Sequence, residues 1–260
     1  MKSGRRRGFT IVVLVVAAVA AAACGAGAAT TAAPPRPKLV DWCATKADRK
    51  AAIRFRATDG ARLVGVLLGP RSARAGVVLA HESGDAGLCN WIRYARVLAR
   101  AGYRVLVFDA RGSFSSPPSR AAPYRRDFDV AGATREVRRR GVARVVLVGG
   151  SLGAMASVAA AAAVEPPVAG VAAVSPALEF GGLDALAAMP HVRVPLLVVA
   201  AEQDREFAQY AQTLHDAAAT SEKQLVLFPG TEHGYELVWP RQPGKAAAVV
   251  DAFVRARLRG

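Results

Sequence analysis

Along most of the chain, short apolar runs alternate with stretches of helical character. Ile53 and Phe55 alternate with Arg54 and Arg56, and after Thr58-Asp59-Gly60 comes the apolar run 63–68, the pattern of a β-hairpin closed by an Asp-Gly turn. From there the rhythm changes to strand and helix in turn. The run 76–80 predicts a strand, and Asn90 then caps a helix whose apolar face includes Trp91, Ala95 and Leu98 and which Gly102 ends. A strand is predicted over 103–108, a helix over 128–140 and a strand over 143–148. A helix over 152–164, closed by Pro166-Pro167, is followed by strands over 168–174 and 194–200. Helix 207–219, strand 224–228 and helix 245–258 complete the series. Near-continuous apolar strands separated by helices predict an α/β fold: a mostly parallel sheet of about eight strands with helices on both faces, after an antiparallel start.

The first residues do not share this rhythm. Lys2, Arg5, Arg6 and Arg7 precede an unbroken apolar run over 11–23, and Cys24 follows. This is the layout of an export signal, and a helix of that length reaches only about 20 Å across a hydrocarbon core of about 30 Å. Ala21-Ala22-Ala23-Cys24 resembles a bacterial lipobox, which would make Cys24 the lipidated first residue of the mature chain. The alternative is an ordinary signal cut at an A-x-A site. Arg6-Arg7-Gly8-Phe9 further resembles a twin-arginine export signal. The stretch 24–38, rich in Gly, Ala, Thr and Pro, reads as a flexible tether, and 39–260 as one α/β domain. The expected address is therefore extracytoplasmic, at the membrane through Cys24 or else secreted.

Export changes the meaning of the two remaining cysteines. In an oxidising compartment Cys43 and Cys89 are a candidate disulfide, the alternative being two buried thiols. No group of Cys, His and carboxylates has metal-ligand spacing. The formal charge of +15 includes the four cations of the signal, leaving +11 for a chain that begins at Cys24. Nucleic acid is not the expected partner: the arginines are scattered, export removes the chain from it, and Arg138-Arg139-Arg140 ends a predicted helix, where cations suit the macrodipole.

Ligands of parallel sheets gather at the carboxyl ends of the strands. Just there, Gly149-Gly150-Ser151-Leu152-Gly153 places a serine between strand 143–148 and helix 152–164. A serine hydroxyl is a poor nucleophile unless a sharp turn presents it to a base and to donors for an oxyanion, and the flanking glycines allow that turn. A base and an orienting carboxylate must accompany it. Of the four histidines, His233 lies in a loop after the last strand, whereas His81 follows the first parallel strand, His191 precedes a strand and His215 falls within a helix. Asp204 follows strand 194–200 and gives the chain order Ser, Asp, His; Glu202, Asp184 and Glu236 are its rivals. Asp109 also follows a strand and is read as structural, bonding loop backbone or Arg111.

Taken together, residues 81–85, 91–112, the Ser151 turn, 194–204 and Glu232-His233-Gly234 make the chain resemble the α/β-hydrolase superfamily, near its dienelactone-hydrolase-like and small lipase or esterase branches, over about 51–258. The resemblance implies Ser151 as nucleophile, Asp204 as acid, His233 as base and the Leu152 N–H as one oxyanion donor. It puts the second donor in the loop after the first parallel strand, where Glu82 replaces the family's usual glycine; the Ser83 N–H is favoured, with that of Glu82 as alternative. A carboxylate pointing into the hole would oppose a developing oxyanion, so either Glu82 turns outward or the activity is unusual. Phe114, where the family commonly has glycine, either packs under its loop or lines an acyl pocket. The segment 176–190 is long enough for one short helix and no large cap domain, which implies an open pocket suited to short or medium acyl esters. The expected function is a serine hydrolase of small carboxylic esters, acting through an acyl-enzyme and needing no cofactor. Peptidase, thioesterase or acyltransferase activity on the same triad, or an inactive envelope binding protein, are the alternatives.

Overall fold

The computed structural model describes Met1 and residues 37–39, 42–238 and 245–259. The chain divides at Pro35, and every element below belongs to the unit Arg36–Gly260. The expected signal, nearly all of the tether and Cys24 lie outside the described residues. Among the described residues no helix is long and apolar enough to cross a membrane.

The hairpin forms as the sequence predicts. Strands β1 (Ala52–Arg56) and β2 (Arg62–Leu68) pair antiparallel, Ala52 opposite Val66 and Arg56 opposite Arg62. Gly60 turns between them at φ 89°, a conformation that costs glycine nothing. The parallel strands are β3 (Ala75–Ala80), β4 (Arg104–Asp109), β5 (Arg144–Gly150) and β6 (Gly170–Val174), and, after a two-stranded ribbon of β7 (Glu179–Phe180) and β8 (Leu183–Asp184), β9 (Leu196–Ala201) and β10 (Lys223–Phe228). The main sheet has eight strands in the order β1-β2-β4-β3-β5-β6-β9-β10, antiparallel only in its first two pairings.

Strand periodicity of two explains why the runs are apolar throughout. Val145 and Leu147 of β5 face one core, with residues of α3 (Arg126–Arg139), α4 (Leu152–Ala161) and α6 (Phe207–Ala217). Val146 and Val148 face the other, with residues of α2 (Cys89–Arg100) and α7 (Lys245–Leu258). Two helical layers thus enclose the sheet, and each fully buried Val or Leu contributes about 1.5–3 kcal/mol.

Three local expectations need correction or addition. Asn90 is not the cap of α2, which starts at Cys89 with Leu88 at the capping position. The Leu88 N–H donates instead to the buried Asp109 carboxylate at 3.0 Å, so the helix entry is fixed from outside the helix. A short helix α1 (Lys46–Lys50) precedes the hairpin, held by a capping box in which Asp48 N–H donates to Thr45 Oγ1 and Thr45 N–H to Asp48 Oδ2. Five residues without an apolar face carry no periodic signal. The segment 176–190 holds the expected short helix, α5 (Ala185–Ala188), and also the β7–β8 ribbon, turned by Gly181-Gly182 with both residues at positive φ. Among the described residues no large cap covers the sheet. Cys43 and Cys89 form the expected disulfide, with Cα atoms 5.6 Å apart, tying the chain before α1 to the first residue of α2.

Candidate active site

Ser151 joins β5 to α4 at φ 48° and ψ −116°, a backbone conformation that L-residues rarely adopt. The neighbouring glycines explain how the chain reaches it. A Cβ on Gly149 would stand 2.3 Å from the Gly153 carbonyl oxygen, and one on Gly153 would stand 2.2 Å from the Ala80 carbonyl oxygen. Helix α4 therefore starts in backbone contact with the end of β3, a placement only glycine permits. Ser151 is nearly buried, its N–H donates to the Val174 carbonyl, and Leu152, the first residue of α4, presents an N–H for which no intrahelical acceptor exists.

The histidine and the acid meet. His233 Nδ1 donates to Asp204 Oδ2 at 2.8 Å, with the carboxylate buried and the ring about one-third exposed. Asp204 lies in the turn between β9 and α6, and Phe207, the first residue of α6, packs its ring 4.2 Å from the imidazole. With Nδ1 engaged by the carboxylate, Nε2 is the ring nitrogen left for a second partner. The rivals of Asp204 are elsewhere: Glu202 is exposed, Asp184 caps α5 through the Ala187 N–H, and Glu236 reaches only the His233 backbone N–H at 3.4 Å. The residue after the histidine meets the serine turn directly, since a Cβ on Gly150 would lie 3.4 Å from Gly234 Cα. Among the described residues the Ser151 hydroxyl makes no hydrogen bond to the ring. The structure thus brings Asp204 onto His233 and sets the histidine loop against the Ser151 turn.

His81 is unfit as a base. It is 2% exposed, its Nε2 accepts the Ala110 N–H at 3.0 Å, and its Nδ1 sits 2.5 Å from the Glu82 carbonyl oxygen, to which it donates. Burial, aided by the charge of Arg126, pushes its pKa down to about 3. The ring is a neutral strut that pins the β3 loop to the loop after β4. His191 is exposed, and His215 pairs with Asp216 on the surface.

Of the two alternatives for Glu82, the outward turn is not the one adopted. Its carboxyl is buried beneath the histidine loop, where it accepts Asn90 Nδ2 at 3.0 Å, Trp91 Nε1 at 2.8 Å and, at 3.4 Å, the Tyr235 N–H. The reason is local: the indole and amide at the start of α2 and the Tyr235 N–H form a ready-made donor set. Burial raises the Glu82 pKa, while these hydrogen bonds hold it down. The carboxyl is thereby committed to donors behind the serine turn. Its own N–H also lies against that carboxyl, and the next residue of the loop, Ser83, is exposed.

Asp109 bonds loop backbone as expected, through the Leu88 and Ser115 N–H groups, but it does not hold Arg111. Arg111 is fully buried and pairs with Asp129 at 2.8 Å and Asp59 at 2.7 Å. Burial raises the Asp129 pKa, and the guanidinium opposes that rise. Phe114 stands at φ 37°, about two-fifths exposed, with its ring edge over Gly87; Tyr124 and Phe180, also exposed, meet edge to face at 5.3 Å. No group of three or more metal-ligating side chains occurs among the described residues.

An eight-stranded, mostly parallel sheet with a strained serine between β5 and α4, and with acid and histidine after β9 and β10, is the α/β-hydrolase fold. A family model described as alpha/beta hydrolase fold matches residues 76–190. Solved structures agree. An esterase of Pyrococcus furiosus is 15% identical with a TM-score of 0.69, covering 87% of this chain and 100% of its own. A dienelactone hydrolase of Anabaena variabilis is 22% identical with a TM-score of 0.62, over 78% and 94%. A proline iminopeptidase of Mycobacterium smegmatis is 14% identical with a TM-score of 0.64, over 79% and 98%. No curated protein matches the chain by sequence.

Proposed function

We propose that the protein is a serine hydrolase of carboxylic esters with short to medium acyl chains, acting through an acyl-enzyme. The observation that carries this reading is the strained Ser151 turn in backbone contact with the loop of a histidine already oriented by a buried carboxylate. In the first half-reaction His233 Nε2 takes the Ser151 proton as Oγ attacks the acyl carbon. The oxyanion gathers at the backbone N–H groups of Leu152 and Ser83, and the imidazolium, steadied by Asp204, gives its proton to the departing alcohol. Water then repeats the sequence and releases the acid. Phe114 and Tyr124 on loops, and Phe180 on the β7–β8 ribbon, offer an open apolar rim rather than a closed tunnel, which favours short acyl groups.

The similarity to esterases, a lactone hydrolase and a peptidase fits a fold that hosts acyl transfer to water with several leaving groups. A panel of p-nitrophenyl esters of rising acyl length, run beside thioester and prolyl-peptide substrates, tests the ester assignment. The short esters should give the highest kcat/KM, and a preference for the peptide by tenfold or more (about 1.4 kcal/mol) would contradict it. We further propose export and lipid anchoring at Cys24, supported by the N-terminal sequence alone. Mass spectrometry of the mature N-terminus should find a diacylated cysteine, and any other first residue rejects the anchor.

A further inference from the structure

The end of the sheet opposite the serine carries a concavity of about 660 Å³. It lies where β2 leaves the sheet and β4 enters it, since Leu68 pairs with Val105 there while Asp109 and Ser151 mark the far end. Gly69, at φ 85°, has the Tyr103 carbonyl so close that a Cβ would stand 1.9 Å from it; this draws the exit of β2 against the entry of β4. Apolar Ile53 and Leu67 contribute to the floor, and the charged side chains of the lining are Lys50, Arg71, Arg104 and Arg140, with no carboxylate among the lining residues.

Structural duties account for only part of this set. Arg140 pairs with Glu136 at 2.6 Å and Arg104 donates to the Gly69 carbonyl, whereas Lys50 and Arg71 are exposed, with no ion pair among the described residues. A helix macrodipole explains Arg140 at the end of α3, but Arg71 lies in a turn and Arg104 opens a strand. Arg71, Arg104 and Arg140 line this one concavity, and after burial the charges of Arg140 and Arg71 lower the Arg104 pKa further. Apart from Glu136 on Arg140, no acid among the described residues offsets these charges, and like charges gathered on a concave surface repel one another until an anion enters.

We propose that this basic concavity is a binding site for a phosphate-bearing anion, held by the guanidinium forks of Arg71, Arg104 and Arg140 and the ammonium of Lys50. Three forks and a point charge match the several oxygens and high charge of a phosphate better than a single carboxylate. The phosphate can belong to a free small molecule or to an anionic lipid headgroup, and the site lies at the pole away from the serine in either case.

The test uses the full chain, so that the apolar N-terminal run is common to all samples. Wild type, a Lys50→Ser/Arg71→Ser double variant and Ser151→Ala are titrated with inorganic phosphate against chloride at matched ionic strength, and are sedimented with vesicles of phosphatidylglycerol in phosphatidylcholine against phosphatidylcholine alone. Saturable wild-type binding in at least one arm is expected, weakened about tenfold or more in the double variant and unchanged in Ser151→Ala. A response to phosphate assigns a soluble ligand, and a response to vesicles alone assigns a headgroup. Equal behaviour of wild type and double variant, no binding in either arm, or loss in Ser151→Ala would overturn the site. Because Ser151→Ala removes hydrolysis without touching this pole, failure here and failure of the hydrolase reading are separable.

Discussion

A serine held at φ 48° stores strain of about 1–3 kcal/mol, which persists because Gly149 and Gly153 let the surrounding backbone hold the turn closed. Serine and glycines were legible as a motif; the company they keep was not. Asn90 and Trp91 lie 8 and 9 residues from Glu82, but Tyr235 lies 153 away, and nothing in a local pattern announces that the three would share a carboxyl. His81 likewise reads as a loop histidine until its burial is known. Its folded pKa, about 3, is below the unfolded value of about 6.5. The unfolded chain therefore takes up a proton that the folded one refuses. This contribution to stability is intact above pH 6.5 and is lost as pH falls through the window from about 6.5 to 3, at about 1.4 kcal/mol per pH unit. Glu82, with a raised pKa, acts in the opposite direction above its ordinary value, so the comparison must isolate the histidine. Urea unfolding of wild type and His81→Gln should show the difference in stability shrinking at that slope below pH 6, and a pH-independent difference would contradict the buried neutral ring.

At the scale of elements, apolar runs located the strands because both faces of this sheet are buried, so neither face needed polar relief. Helix ends were harder to place. Asn90 looks like a cap, but the entry of α2 is set by Asp109, 21 residues from the N–H it holds. Helix α1 escaped because five charged and small residues have no apolar face. The start of α4 offers a direct test of element packing. Gly153→Ala drives a Cβ into the Ala80 and His81 carbonyls, both of them backbone, so α4 must retreat from β3. We expect a loss of about 1–3 kcal/mol in unfolding free energy together with a fall in kcat, because the same retreat moves Leu152 away from the β3 loop. Unchanged stability would mean that the contact is not tight. Pairing between elements matters equally: Asp129→Asn leaves the buried Arg111 with Asp59 as its one remaining charged partner among the described residues and should cost about 3–5 kcal/mol by the same measurement.

Over the whole molecule, chain order and topology made the placement of Ser151, Asp204 and His233 readable, since strands β5, β9 and β10 deliver the three to one end of one sheet. The basic pole at the other end was not readable: its cations come from α1, a turn, β4 and the residue that follows α3, and in the sequence they are four scattered residues. The Cys43–Cys89 bridge spans 46 residues and joins the chain before the hairpin to α2. Closing a loop of that length is worth up to about 4 kcal/mol. The Cys43→Ser/Cys89→Ser variant should melt lower by up to about 10 °C, and an unshifted melting temperature would deny the bridge its role. The central claim concerns Ser151, and covalent capture tests it most directly. A fluorophosphonate reagent is applied to the wild type, Ser151→Ala and His233→Ala, and the modified peptide is sequenced by mass spectrometry. The account predicts one adduct, on Ser151, absent from Ser151→Ala and formed far more slowly in His233→Ala; no adduct on the wild type, or an equal one on Ser151→Ala, would contradict it.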